Sequence, residues 1–221
     1  FPASDPMKAM TPDDVEIIEQ SRPYDGYCKI EHFLVKHRLF AGGWSDVVSR
    51  ELLERGHAVA VLLYDPDLDK LVMIEQFRIG VMAALSSPRG PDDISPWEIE
   101  CVAGMIDETD SGPEDVVRRE AVEEADCTVS EIYPIQHYFA SPGCSAESVY
   151  LYCGRTHASN AGGIHGLADE NEDIRVFTAS PEEAFDWLDQ GKITNSMTLI
   201  ALYWLRVNHQ MLRDKWLGSG S

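Results

Sequence analysis

The sequence predicts an α/β (α+β) fold, a mixed β-sheet sandwiched between helices, preceded by a small β domain. Three observations carry this prediction. Two apolar runs of strand length, HAVAVLLYD (57–65) and KLVMIEQFRI (70–79), flank a turn at Asp65-Pro66-Asp67. A segment opened by Pro113, with Glu114 and Asp115 behind it, has the form of a helix start and continues to Ala125. The chain closes on a long amphipathic stretch, 195–216.

Taken in order, 26–40 (GYCKIEHFLVKHRLF) alternates loosely and suggests one or two strands, and AGGWSD supplies a turn. The stretch 57–79 reads as a hairpin whose first strand is buried on both faces. SSPRGPDDISP (86–96) holds three prolines and reads as an exposed loop. WEIECVAG (97–104) alternates, with Trp97, Ile99 and Cys101 on one face and Glu98 and Glu100 on the other. Strands follow near 132–140 and 147–154, then a Gly- and Asp-rich loop to 173, then the strand IRVFTA. Ser180-Pro181-Glu182-Glu183 has the form of a capping box and starts a short helix to Gln190. The expected organisation is an N-terminal β domain over 1–55, a main domain over 56–216 and a disordered tail from 217 to 221.

Composition bounds the function. Hydrophobic residues make up 44% of the 221 positions, enough for a buried core, and 38 acidic against 18 basic residues give a net charge of −20. Such a surface repels phosphate backbones, which argues against sequence-independent nucleic-acid binding. A phosphorylated substrate would need local arginines or bound cations. The five cysteines (28, 101, 127, 144 and 153) show no C-x-x-C spacing and read as free thiols of a reducing cytoplasm. No apolar run approaches the roughly 20 residues of a membrane span, and FPASDPMKAM lacks the blocks of a signal peptide.

One stretch carries chemistry. RREAVEEADC (118–127) places Glu120, Glu123 and Glu124 within about a 100° arc of a helix. Like charges four residues apart oppose each other unless a cation lies between them, and taken alone a glutamate-rich helix is more often a solvated face. Hard divalent cations favour such oxygen sets.

With the residues before it, GMIDETDSGPEDVVRREAVEEADC (104–127) resembles the Nudix box, G-x5-E-x7-R-E-U-x-E-E-x-G-U, where U is bulky and apolar. Gly104, Arg119, Glu120, Ala121, Glu123 and Glu124 take its places. The loop is one residue longer, so the first acid of the motif falls on Asp110 or Ser111, and Asp126 stands where the motif has glycine. The resemblance implies the Nudix fold and Mg²⁺-dependent cleavage of a nucleoside diphosphate joined to another group, with Mn²⁺ able to substitute. Glu120 and Glu124 would be metal ligands, with the backbone of Ala103. Glu123 would be an additional or indirect ligand, and Arg119 would orient the carboxylates.

Three further stretches resemble the ADP-ribose pyrophosphatase branch of that family. Pro142, in Ser141-Pro142-Gly143, lies sixteen residues after Asp126, the spacing of that branch. GIHGLADENEDIRV (163–176) resembles its mobile acidic loop, which makes Glu170 the candidate general base and Glu172 a further metal ligand. The N-terminal region resembles its small β domain, exchanged across a homodimer, with Tyr27 stacking on adenine and Arg50 and Arg78 meeting phosphate or ribose. The implied substrate is ADP-ribose. Hydrolysis of another sugar nucleotide, such as GDP-mannose, and a non-catalytic nucleotide-binding module are the alternatives.

Overall fold

The computed structural model describes residues 10–92, 94–167 and 171–218. Glu170 and the closing residues 219–221 lie outside the described residues. The chain divides into two compact units, one comprising residues up to 56 together with 139–147, the other comprising 57–138 and 148 onward.

The first unit is an antiparallel meander of β1 (Val15–Asp25), β2 (Lys29–His37) and β3 (Val48–Glu54). Of these, only the middle strand falls in the region where sequence periodicity suggests strands. Every residue of β1 is exposed, so no apolar alternation marks it. The β1–β2 ladder shifts register between Ile17 and Glu19 and again between Ser21 and Tyr24. Arg22 donates to the buried Glu31 across it at 2.6 Å, which holds that carboxyl below its usual range. At the hairpin tip a side chain on Gly26 would strike the ring of Tyr24, and Tyr27 beside it is 88% exposed. In the 139–147 segment, the Cys144 carbonyl accepts from Leu53 N–H (2.7 Å), and Ala146 N–H returns a bond to Leu53 (3.1 Å).

The second unit is built on an eight-stranded sheet. Its main path runs β10 (Gly163–His165), β11 (Ile174–Ala179), β5 (Lys70–Phe77), β4 (Ala58–Asp65), β9 (Ser148–Arg155), β8 (Glu131–Phe139). Two short strands branch from it, β6 (Trp97–Glu100) on β5 and β7 (Val102–Met105) on β4. The β4–β9 pairing is parallel, whereas β4–β5, β4–β7 and β5–β11 are antiparallel, so the sheet is mixed, as expected. The 57–79 hairpin forms with Leu63 opposite Val72. Asp65 fixes its turn by accepting the N–H groups of Asp67 and Leu68.

Helices cover both faces. Alternate residues of β4 (Val59, Val61, Leu63) join a core with Val116, Val117, Ala121 and Ala125 of α2 (Pro113–Ala125). The intervening residues (Ala58, Ala60, Leu62, Tyr64) pack on the other side with Ala184 and Leu188 of α3 (Pro181–Asp189) and Leu202, Leu205 and Leu212 of α4 (Ser196–Leu217). Strand β4 is therefore buried on both faces, as its unbroken apolar run predicts.

Three expectations are corrected. The strand expected over 70–79 ends at Phe77, and Ile79–Leu85 form a short helix, α1. The stretch expected as one alternating strand, 97–104, breaks at Cys101 and changes partner from β5 to β4. The Gly- and Asp-rich loop expected to reach 173 contains β10. Alternation survives in β6, but the acidic face is the buried one: Glu98 and Glu100 are enclosed while Trp97 is exposed.

Candidate active site

The break at Cys101 builds the floor of the site. With the ladder interrupted, Cys101 N–H donates to Thr198 Oγ1 (2.9 Å). Asn195 caps α4 by accepting from Thr198 N–H and donates from its amide to the Ile99 carbonyl (2.9 Å). The start of α4 thus grips the bend, and β7 continues along β4 with Ala103 and Gly104 opposite Ala60 and Val59.

Helix α2 lays its carboxylates over this floor. Glu124, almost wholly buried, accepts from Ala103 N–H at 3.0 Å. Glu120 lies against Gly104 so closely that a Cβ there would fall 1.7 Å from its Oε1. Only glycine admits this approach. Arg119 ties the set together. Its Nη1 donates to Glu120 (2.6 Å) and Glu123 (3.2 Å), and its Nη2 to the Met105 carbonyl (3.1 Å) and Asp110 (3.2 Å). Of the two positions available for the first acid of the box, Asp110 is thus the one that meets the arginine. It also accepts from Asp107 N–H (2.8 Å), and these bonds hold its pKa down.

Burial dominates the electrostatics. Desolvation raises the Glu124 pKa to about 8, against the Ala103 bond and with repulsion from Glu120 and Glu172 added. Desolvation raises Glu120 to about 7, opposed by Arg119 and assisted by Glu123 and Glu172. The charge of Glu172 acts on both groups. Its carboxylate accepts from Leu167 N–H at 3.1 Å. Buried carboxylates crowded against backbone, with hard oxygen donors and only partial compensation from Arg119, are a set that fits a divalent cation.

Arg78 stands at the start of α1, half exposed. Its Nε donates to Glu100 Oε2 at 2.8 Å, and its Nη2 lies 2.8 Å from the same oxygen in an ion pair. Tyr27, Arg50 and Pro142 belong to the first unit. Arg50 lies on β3 opposite Phe33, with Nη1 donating to the Ser49 carbonyl. Pro142 occupies a turn closed onto the Ser141 carbonyl by Cys144 and Ser145 N–H. Elsewhere, Asp65, Asp67 and His157 bring potential ligand atoms together. Both Asp65 oxygens, however, already accept backbone N–H groups, those of Asp67, Leu68 and Ala158. Periodicity and spacing missed Gln76 and Glu100, which flank Arg78; their signal is the pairing of β5 with β6, which no local pattern encodes.

A strand-end glycine beneath an arginine-bridged acidic helix is the arrangement of a diphosphate hydrolase site, and residues 54–197 match the NUDIX domain model. The chain belongs to the Nudix family. It is 46% identical over 203 residues to the ADP-ribose pyrophosphatase of Escherichia coli (strain K12), covering 92% of this chain and 93% of that one. It is 41% identical over 203 residues to the ADP-ribose pyrophosphatase of Haemophilus influenzae, covering 92% and 91%. The GDP-mannose pyrophosphatase of Enterobacter sp. (strain 638) is 32% identical over 165 residues, covering 73% and 80%. A crystal structure of an ADP compounds hydrolase shares the fold, with a TM-score of 0.65, 15% identity and coverage of 93% of this chain and all of that one.

Proposed function

We propose that the chain hydrolyses the diphosphate of ADP-ribose to AMP and ribose 5-phosphate with Mg²⁺, Mn²⁺ being able to substitute. The observation that carries this reading is the placement of Glu120 and Glu124 over Ala103 and Gly104 under the control of Arg119. The 46% and 41% identity to ADP-ribose pyrophosphatases, against 32% to a GDP-mannose pyrophosphatase, favours ADP-ribose as the substrate.

Glu120, Glu124 and the Ala103 backbone would hold the cation, with Glu172 as a further ligand. Bound there, a divalent cation supplies charge neutralisation for the diphosphate and makes water a stronger nucleophile. Arg119 holds Glu120 and Glu123 in place, and Glu170 positions or deprotonates the attacking water. Arg78 and Arg50 bind phosphate or ribose, Tyr27 stacks on adenine, and Pro142 shapes the substrate loop. We assign the molecule to the cytoplasm as a homodimer in which the β unit is exchanged. The exposed Ile17, Ile18 and Tyr24 of β1 support a second copy as their cover.

The deciding experiment incubates the purified protein with ADP-ribose and Mg²⁺, with an EDTA control. AMP formed only with metal is the expected result. Binding of ADP-ribose without AMP would favour a nucleotide-binding module instead.

A further inference from the structure

The acidic face of β6 is buried, contrary to the usual outward orientation of carboxylates, and Glu100 is the member paired with Arg78. Its Oε2 accepts from Arg78 Nε at 2.8 Å and from Gln76 Nε2 at 3.2 Å, and Arg78 Nη2 completes the ion pair at 2.8 Å. Gln76 is itself buried, and β5 and β6 pair with Glu100 opposite Ile74 and Gln76 opposite Glu98. The acceptor is thus fixed from the sheet, and the guanidinium is fixed on the acceptor.

Two donor nitrogens of Arg78 are engaged, which leaves Nη1 outside the pair. The charge of Arg78 also reaches Glu124, whose carboxyl it stabilises in the ionised form. Without an anchor, a flexible arginine whose charge already acts on the buried Glu124 would be drawn to it and compete with a cation.

We infer that Glu100 is a positioning residue for Arg78: it holds the guanidinium off the carboxylates and presents Nη1 to an incoming diphosphate, with Gln76 holding Glu100. This inference rests on the reading of the site as a diphosphate hydrolase and adds to it the group that sets the substrate-binding geometry. Burial raises the Glu100 pKa while Arg78 opposes the shift, as a buried carboxylate paired with a half-exposed guanidinium requires.

The test is a double-mutant cycle on the full chain: wild type, Glu100→Gln, Arg78→Ala and the double variant, with Gln76→Met as a second probe of the same anchor. Steady-state kinetics on ADP-ribose with Mg²⁺ are read beside calorimetric titrations of Mn²⁺ and of inorganic pyrophosphate. The expected result is that Glu100→Gln raises KM by about tenfold, changes kcat and Mn²⁺ affinity little, and has no further effect once Arg78 is alanine. Gln76→Met gives a smaller rise with the same dependence on Arg78. An unchanged KM in Glu100→Gln, additive effects of the two substitutions, or a KM that moves only with Mn²⁺ affinity would overturn the inference. If the wild type releases no AMP, the substrate assignment falls, while the same cycle read on pyrophosphate binding still decides the role of Glu100.

Discussion

Gly104 and Asp126 show how single positions are chosen by what surrounds them. At Gly104 the constraint is the Glu120 carboxylate, which occupies the space of a Cβ. Gly104→Ala should displace Glu120 and lower Mn²⁺ affinity by about 10–100-fold, the range for disturbing groups that orient a metal ligand, measured by titration calorimetry. Asp126 ends α2 with a left-handed backbone, φ 49°, where the family motif has glycine. Asp tolerates this conformation but glycine adopts it freely, so Asp126→Gly should stabilise the protein by about 0.5–1 kcal/mol in urea denaturation. The two glutamates of interest differ in kind. Glu124→Gln should abolish most activity by weakening Mn²⁺ binding, whereas Glu170→Gln should spare it. Equal loss of binding in both would show that Glu170 is not the base.

Elements with local signals were readable from sequence. Helix α2 begins at Pro113 and ends at Ala125, and α3 follows Ser180 through its capping box, because caps are encoded within four residues. Elements defined by long-range pairing were not. Strand β1 has no buried face to impose a period, and α1 continues an apolar run that reads as strand. The break at Cys101 needs Thr198, about a hundred residues away, to satisfy its N–H. The site divides the same way: the box carboxylates lie on one helix and were visible, but the Arg78–Glu100 pair exists only through sheet register. Asn195 tests the coupling of elements. Asn195→Ala should cost about 1 kcal/mol as a lost cap. Asn195→Asp keeps the cap acceptor but loses the donor to Ile99 and adds a charge beside Glu98. It should therefore still destabilise, and urea unfolding of both variants checks this.

For the whole molecule, the raised carboxyls set a pH dependence. Glu120 and Glu124 have pKa values of about 7 and about 8 against an ordinary 4.5, so folding favours their protonated forms. Their contribution to stability is complete below the ordinary value and is lost as pH rises through about 7 and 8. In EDTA, the melting temperature should fall from about pH 5.5 to about pH 8.5, and Mg²⁺ should restore most at the alkaline end. Glu124→Gln should flatten the metal-free profile; an unchanged slope would remove Glu124 as its source. The lowered groups, Asp110, Glu31, Asp69 and Glu183, act oppositely, withdrawing stability as pH falls toward their own range. Finally, the N-terminal meander recruits Phe139–Glu147 from deep within the sequence. The unit is therefore no detachable cassette: a deletion ending at residue 56 would leave the Cys144 carbonyl and Ala146 N–H without their strand. Grafting it onto another hydrolase takes two junctions, and limited proteolysis should release the first fifty residues only as a fragment that no longer holds its fold.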